Sequence, residues 1–183
     1  MASEIIVNTI KAPTSGANAN KVIIPSGVTL DASAGTLRPS AGAIVQVKNF
    51  ARTSQINVSS TAAYTTLLSG SITTLYANSI ILVQGVFPNY SPNTVGVAWS
   101  NSCYLRLKEG STVVAGFEHP GPINDMEFAQ VIPAHYASGQ KAVGTYTYSF
   151  ETRPTVAGDA QYWGRTTDGA PSHSRFSIME IAQ

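Results

Sequence analysis

Residues 174–183, SRFSIMEIAQ, decide how the chain is read. In an extended conformation Phe176 and Ile178 fall on one side and Met179 and Ile181 on the other. A strand covered on one face alternates apolar with polar residues, so a strand apolar on both faces belongs inside a sheet with something packed against each surface. Residues 78–87, NSIILVQGVF, have the same character, with Ile80, Leu82 and Val86 on one face and Ile81, Val83 and Phe87 on the other. Two such strands exceed what an isolated small sandwich needs. One face is therefore expected to pack on the domain's own core, and the other on the N-terminal arm or on sister subunits.

Working outward, short strand candidates separated by turns recur from Gly42 onward, without helical periodicity between them. They include 43–50, 55–58, 71–75, 95–100, 102–108 and 112–117, the last two joined by a Glu109-Gly110-Ser111 turn. Residues 143–151 alternate most cleanly, Tyr146, Tyr148 and Phe150 against Thr145, Thr147 and Ser149. The pattern predicts an all-β fold, an antiparallel β-sandwich of the jelly-roll kind over residues 42–183. Residues 1–41 differ. Their strand-like pieces, EIIVNTI and KVIIPSGVTL, are too short and scattered to bury one another, which predicts an extended arm serving attachment or oligomerisation.

Composition narrows function mainly by exclusion. Charged residues make up only 11%, and Lys+Arg of 11 against Asp+Glu of 10 gives a formal net charge of +1, so there is no field to draw in nucleic acid or an anionic membrane. No apolar run reaches the length of a membrane span, and Glu4 interrupts any secretory core region at the N-terminus. The single cysteine, Cys103, begins the alternation Cys103, Leu105, Leu107 against Tyr104, Arg106, Lys108, which places its thiol in the core. His119, His135 and His173 stand in loop-like segments with no two at metal-ligand spacing, so no metal, cofactor or catalytic residue is assigned. Glu118, Asp125 and Glu127 near His119 form the best constellation for acid/base work, yet their spacing fixes no separation.

Several of these stretches together, GAIVQV, SITTLYANSIILV, YLRLKEGSTVV, TYTYSFE and SRFSIMEI, resemble the small virion proteins of tailed bacteriophages. In those proteins a short arm like SEIIVNTIKAPTSG precedes a terminal β-domain ending in a Ser-Ile/Leu-x-Met-Glu-Ile strand. The resemblance implies a non-enzymatic part of the virion, a homotrimer whose arm engages another virion protein. It is compatible with a short tail fibre or fibre tip, and with a capsid decoration protein. A fibre tip would contact a host-surface glycan through loops. The candidate contact residues are Tyr90, in the Asn89-Tyr90-Ser91-Pro92-Asn93 segment, and Trp163, Arg165, Asp168 and His173 in the segment after Tyr162. Trp163 has a plain alternative role as a plug at the end of the sandwich.

Overall fold

The computed structural model describes residues 39–91, 103–119, 128–155, 160–164 and 172–183, together with Thr14. The chain divides into two compact units, Met1–Arg38 and Pro39–Gln183. Most of the expected arm, and the strand expected at 95–100, lie outside the described residues.

Ten strands and no helix occur among the described residues: β1 (Ile44–Arg52), β2 (Ile56–Val58), β3 (Thr65–Thr73), β4 (Ser79–Ser91), β5 (Cys103–Glu109), β6 (Thr112–His119), β7 (Phe128–Lys141), β8 (Thr145–Pro154), β9 (Gln161–Trp163) and β10 (Ser174–Ile181). Every pairing is antiparallel. In the first sheet β4 is central, with β7 along the whole of one flank; on the other flank β10 pairs residues 80–86 and β9 takes over at Asn89 and Tyr90. β1 and β2 lie outside β10 and β9 in the same way. The sheet is therefore four lines wide, β1/β2, β10/β9, β4 and β7. The second sheet runs β3-β8-β5-β6. Apart from the β5–β6 hairpin and the short continuations β2 and β9, the chain changes sheet at each connection, which is jelly-roll connectivity. The all-β antiparallel sandwich expected over residues 42–183 is the fold observed among the described residues.

The core forms where the inward residues of the two sheets meet. Ile81, Val83 and Phe87 of β4 and Phe176 and Ile178 of β10 face Leu105, Leu107, Tyr148 and Phe150. Phe150 holds the centre, its ring centroid 4.3 Å from that of Phe87 and 5.3 Å from that of Phe176. Phe50 stacks on Phe176 at 5.0 Å and crosses to the other sheet over Gly70, where an added Cβ would lie 2.5 Å from its ring. Cys103 is fully buried, as its alternation predicted.

Candidate functional site

With that core filled, the outer side of the first sheet carries the second apolar face read from the sequence. Antiparallel partners point to the same side of a sheet, so the registers define cross-strand rows. Ile44, Ile181 and Ile80 form one row, and Val47, Met179 and Leu82 the next. Ile44 is 59% exposed and Val47 47%, while the other four are half-buried. A polar row, Asn49, Ser177 and Gln84, closes this grid, with Ser177 donating to Asn49 at 2.6 Å. Six large aliphatic or thioether side chains thus lie together on one surface of the sheet, two of them exposed and four half-buried.

The strand beneath the grid is pinned by Glu180, a fully buried carboxylate. Its Oε1 accepts from the Tyr76 amide at 3.0 Å and the Ser79 hydroxyl at 2.7 Å, its Oε2 from the Gln46 amide nitrogen at 2.6 Å, and both oxygens from the Leu75 amide at 3.0 Å. Burial alone would raise the Glu180 carboxyl, but the hydrogen bonds from Gln46, Ser79, Leu75 and Tyr76 outweigh it and hold the group below its ordinary value. These bonds fix the β3–β4 turn, in which Asn78 takes a positive φ of 65°. Gly42 donates to the Ala182 carbonyl at 2.8 Å and Ala182 to that of Ala43 at 2.9 Å, so the chain enters β1 already bound to the end of β10.

The expected contact residues fall elsewhere, and two of them are buried. Tyr90 is 5% exposed and Trp163 1%. Neither is an exposed plate. The reading of residues 89–93 as a loop is corrected for 89–91, because β4 continues through Pro88 to Ser91 and pairs with both β7 and β9, while 92 and 93 lie outside the described residues. Pro88 falls between the last partner on β10 and the first on β9, and its carbonyl accepts from Gly164 at 2.9 Å. A strand that changes partner there tolerates a residue with no N–H. Trp163 sits in β9 between β4 and β2, opposite Asn89 and Ile56, in the plug role. Trp163 belongs to the core between the sheets, whereas Tyr90, paired with Tyr162 and of the same parity as Val86, is buried on the outer side of the first sheet. His173 is exposed and lines an open cleft of about 440 Å³ with Val86, Pro88, Val131 and Arg175. Arg165 and Asp168 lie outside the described residues, as do Asp125, Glu127 and the side chains of Glu118 and His119. Among the described residues no three His, Cys, Asp or Glu side chains are grouped to hold a metal ion.

No protein-family model matches the chain, and no curated protein does. Among solved structures, a chain of the infectious bursal disease virus Gx strain superposes with a TM-score of 0.42 at 16% identity, over 87% of this chain and 37% of that one. A chain of the infectious bursal disease virus VP2 subviral particle gives 0.42 at 17% identity, over 93% and 40%. The xylan-binding domain CBM22-1 of Paenibacillus barcinonensis Xyn10C gives 0.28 at 14%, over 79% and 99%. This chain thus spans well under half the length of the viral chains. Likenesses at this level identify neither a family nor a site.

Proposed function

We propose that the protein is a non-enzymatic structural component of a tailed-bacteriophage virion, a homotrimeric short tail fibre or fibre tip. In this reading the outer face of the first sheet makes the contact between copies, and residues 1–38 join the trimer to another virion protein. The supporting observation is the grid of Ile44, Ile181, Ile80, Val47, Met179 and Leu82, an apolar surface bounded by a polar row. Full burial of one such side chain contributes about 1.5–3 kcal/mol, so six in one patch favour association over exposure to water. A standard interface needs about 800 Å² from each partner, and the grid serves as its centre with the surrounding rows as rim.

The second reading is a capsid decoration protein, and one observation favours it. The burial of Tyr90 and Trp163 removes the aromatic loops by which a fibre tip was expected to meet its host. Light scattering on the purified full chain tests the assembly, with a mass of three chains expected and a monomer at micromolar concentration refuting it. Antibody-labelled microscopy of the intact virion separates the two readings by tail or capsid staining, and a virion with neither refutes both.

A further inference from the structure

The outer face of the second sheet has a different chemistry. Over β3 and β8 it is a ladder of hydroxyls, Ser71 to Thr147 at 2.7 Å and Thr73 to Thr145 at 2.8 Å. Toward β5 and β6 it changes to rings and cations. The Arg106 guanidinium carbon lies 3.6 Å from the Tyr64 ring centroid, and that of Arg153 lies 4.9 Å from the Tyr64 centroid and 5.2 Å from that of Tyr104. One oxygen of Glu151 accepts from Arg106 Nε and Nη2 at 2.9 and 2.7 Å, and the other from Lys108 Nζ at 3.3 Å. Glu151 therefore holds Arg106 in place, while Arg106 Nη1 donates to none of the described residues. Beside this group is an open cleft of about 390 Å³ lined by Tyr64, Tyr104, Arg106, Val113 and Gly116, within the size range of small-ligand sites.

Gly116 supplies a second, independent observation. It stands mid-strand in β6 opposite Arg106, so its missing side chain faces the cleft. Its φ is not among the positive ones, and an added Cβ would meet no atom within 4 Å. Neither turn geometry nor crowding by described residues requires glycine there. Glycine weakens a strand interior and marks a bulge, a bend or a close approach by a ligand or another backbone; the register shift of this hairpin falls between Leu107 and Lys108, beyond the Arg106–Gly116 pair, which is in register. Arg106 lines the cleft and shares the Glu151 carboxylate with Lys108, so this group of described side chains holds two cations against one carboxylate.

We propose that this cleft binds an acidic sugar residue, a pyranose bearing a carboxylate. Its C–H face lies over Gly116 beside Tyr104, and its carboxylate is met by Arg106 Nη1 and Lys108. A pyranose combines an apolar face with an edge of acceptors, and the cleft offers an aromatic wall, a flat floor and fixed cationic donors in matching places. The inference deepens the host-contact reading by naming what the outward face would hold, but binding and assembly are measured separately.

The test titrates isotope-labelled full-length protein with methyl galacturonoside and, in parallel, methyl galactoside, which share a ring and differ in the carboxylate. The acidic sugar is expected to shift β5 and β6 resonances and to bind about tenfold more tightly than the neutral one, a charge-assisted contact being worth roughly 1.4 kcal/mol here. Gly116→Leu projects an isobutyl group into the cleft from a position where its Cβ meets no atom within 4 Å, and should abolish the shifts while the circular dichroism spectrum stays unchanged. Lys108→Gln should weaken the acidic sugar several-fold and leave the neutral one unaltered. No shift with either sugar up to its solubility limit overturns the site. Equal affinity for the two overturns the acidic class, and wild-type binding by a folded Gly116→Leu overturns the location. Light scattering on the same samples keeps the two readings distinct, since a trimer that binds no sugar overturns only this inference.

Discussion

Val47→Asp is the substitution that most directly tests assembly through the first sheet. Val47 is 47% exposed, on an edge strand, opposite Met179 in the apolar grid. Full burial of valine is worth about 1.5–3 kcal/mol, so covering its remaining exposed half contributes about 1 kcal/mol per copy, or about 3 kcal/mol per trimer. That alone changes the assembly constant by about two orders of magnitude. An aspartate adds the cost of burying a charge, several kcal/mol per copy, which no described cation in the grid offsets. The folded single chain loses far less, because an exposed edge position feels mainly strand propensity, within about 1 kcal/mol. The expected product is a folded monomer by light scattering and circular dichroism. Val47→Lys repeats the test with a residue that edge strands tolerate well. Asn49→Asp is the control, since it adds a charge one row away on the same strand and still accepts from Ser177. An intact Val47→Asp trimer, or equal disruption by Asn49→Asp, would refute the reasoning.

Three further outcomes follow. Trp163→Ala should lower stability to urea by about 3–5 kcal/mol, as expected for a fully buried indole; an unchanged midpoint would mean that Trp163 is not packed as described. Glu180 titrates below its ordinary 4.5 in the folded chain, so its stabilising contribution is present above that value and is lost as pH falls through the lower folded one. Glu180→Gln should therefore be less stable than wild type near neutrality, with the gap narrowing in acid, and a gap independent of pH would contradict the assignment. Removing residues 1–38 should leave a folded β domain that no longer joins the virion, the cut being placed before Gly42 and Ala43 because both bond to Ala182; normal incorporation of the truncated chain would place attachment on the β domain.

Much of the fold was legible because it rests on alternation. In β4 and β10 each inward and outward assignment made from residue spacing matches the burial observed, and Cys103, Tyr148 and Phe150 lie in the core as their period required. Errors arose where alternation is interrupted for structural reasons. β7 runs from Phe128 to Lys141, although Pro133 and Gly139 punctuate it like a loop; among the described residues it pairs only with β4, and a sheet edge accepts proline. The first half of β3 was missed because a register shift between Thr66 and Leu68 breaks the period. Trp163 fills the plug role that its sequence reading offered as an alternative, but Tyr90 was misplaced because Pro88 and the Pro/Asn-rich context resemble a loop. The decisive fact, a change of partner from β10 to β9, concerns residues distant in sequence. Glu180 is a similar case. It stands in the Met-Glu-Ile ending that carried the family resemblance, but its partners at Gln46, Leu75, Tyr76 and Ser79 come from other strands and a turn, so no local pattern could assign its role.

The two outer faces of a sandwich are alternatives for different work, because copies joined through one leave the other turned away from the joint. On β10 the division is made residue by residue. Phe176, Ile178 and Glu180 point inward to core and clamp, while Met179 and Ile181 point outward to the grid. The second sheet has no matching apolar grid in its β3–β8 half, where hydroxyls bond one another across the strands, and its β5–β6 half presents cations and rings beside Gly116. A trimer closed through the first sheet would therefore display three copies of the second sheet's cleft. Weak single-site affinity for one sugar residue would then be sufficient, since simultaneous engagement raises apparent affinity by about 10²–10⁴ when the spacing of the ligand matches. The same logic separates the surfaces genetically. Substitutions in the Val47–Met179–Leu82 row should remove multivalent adsorption by removing the trimer, with single-site binding intact, whereas Gly116→Leu should remove binding from an intact trimer.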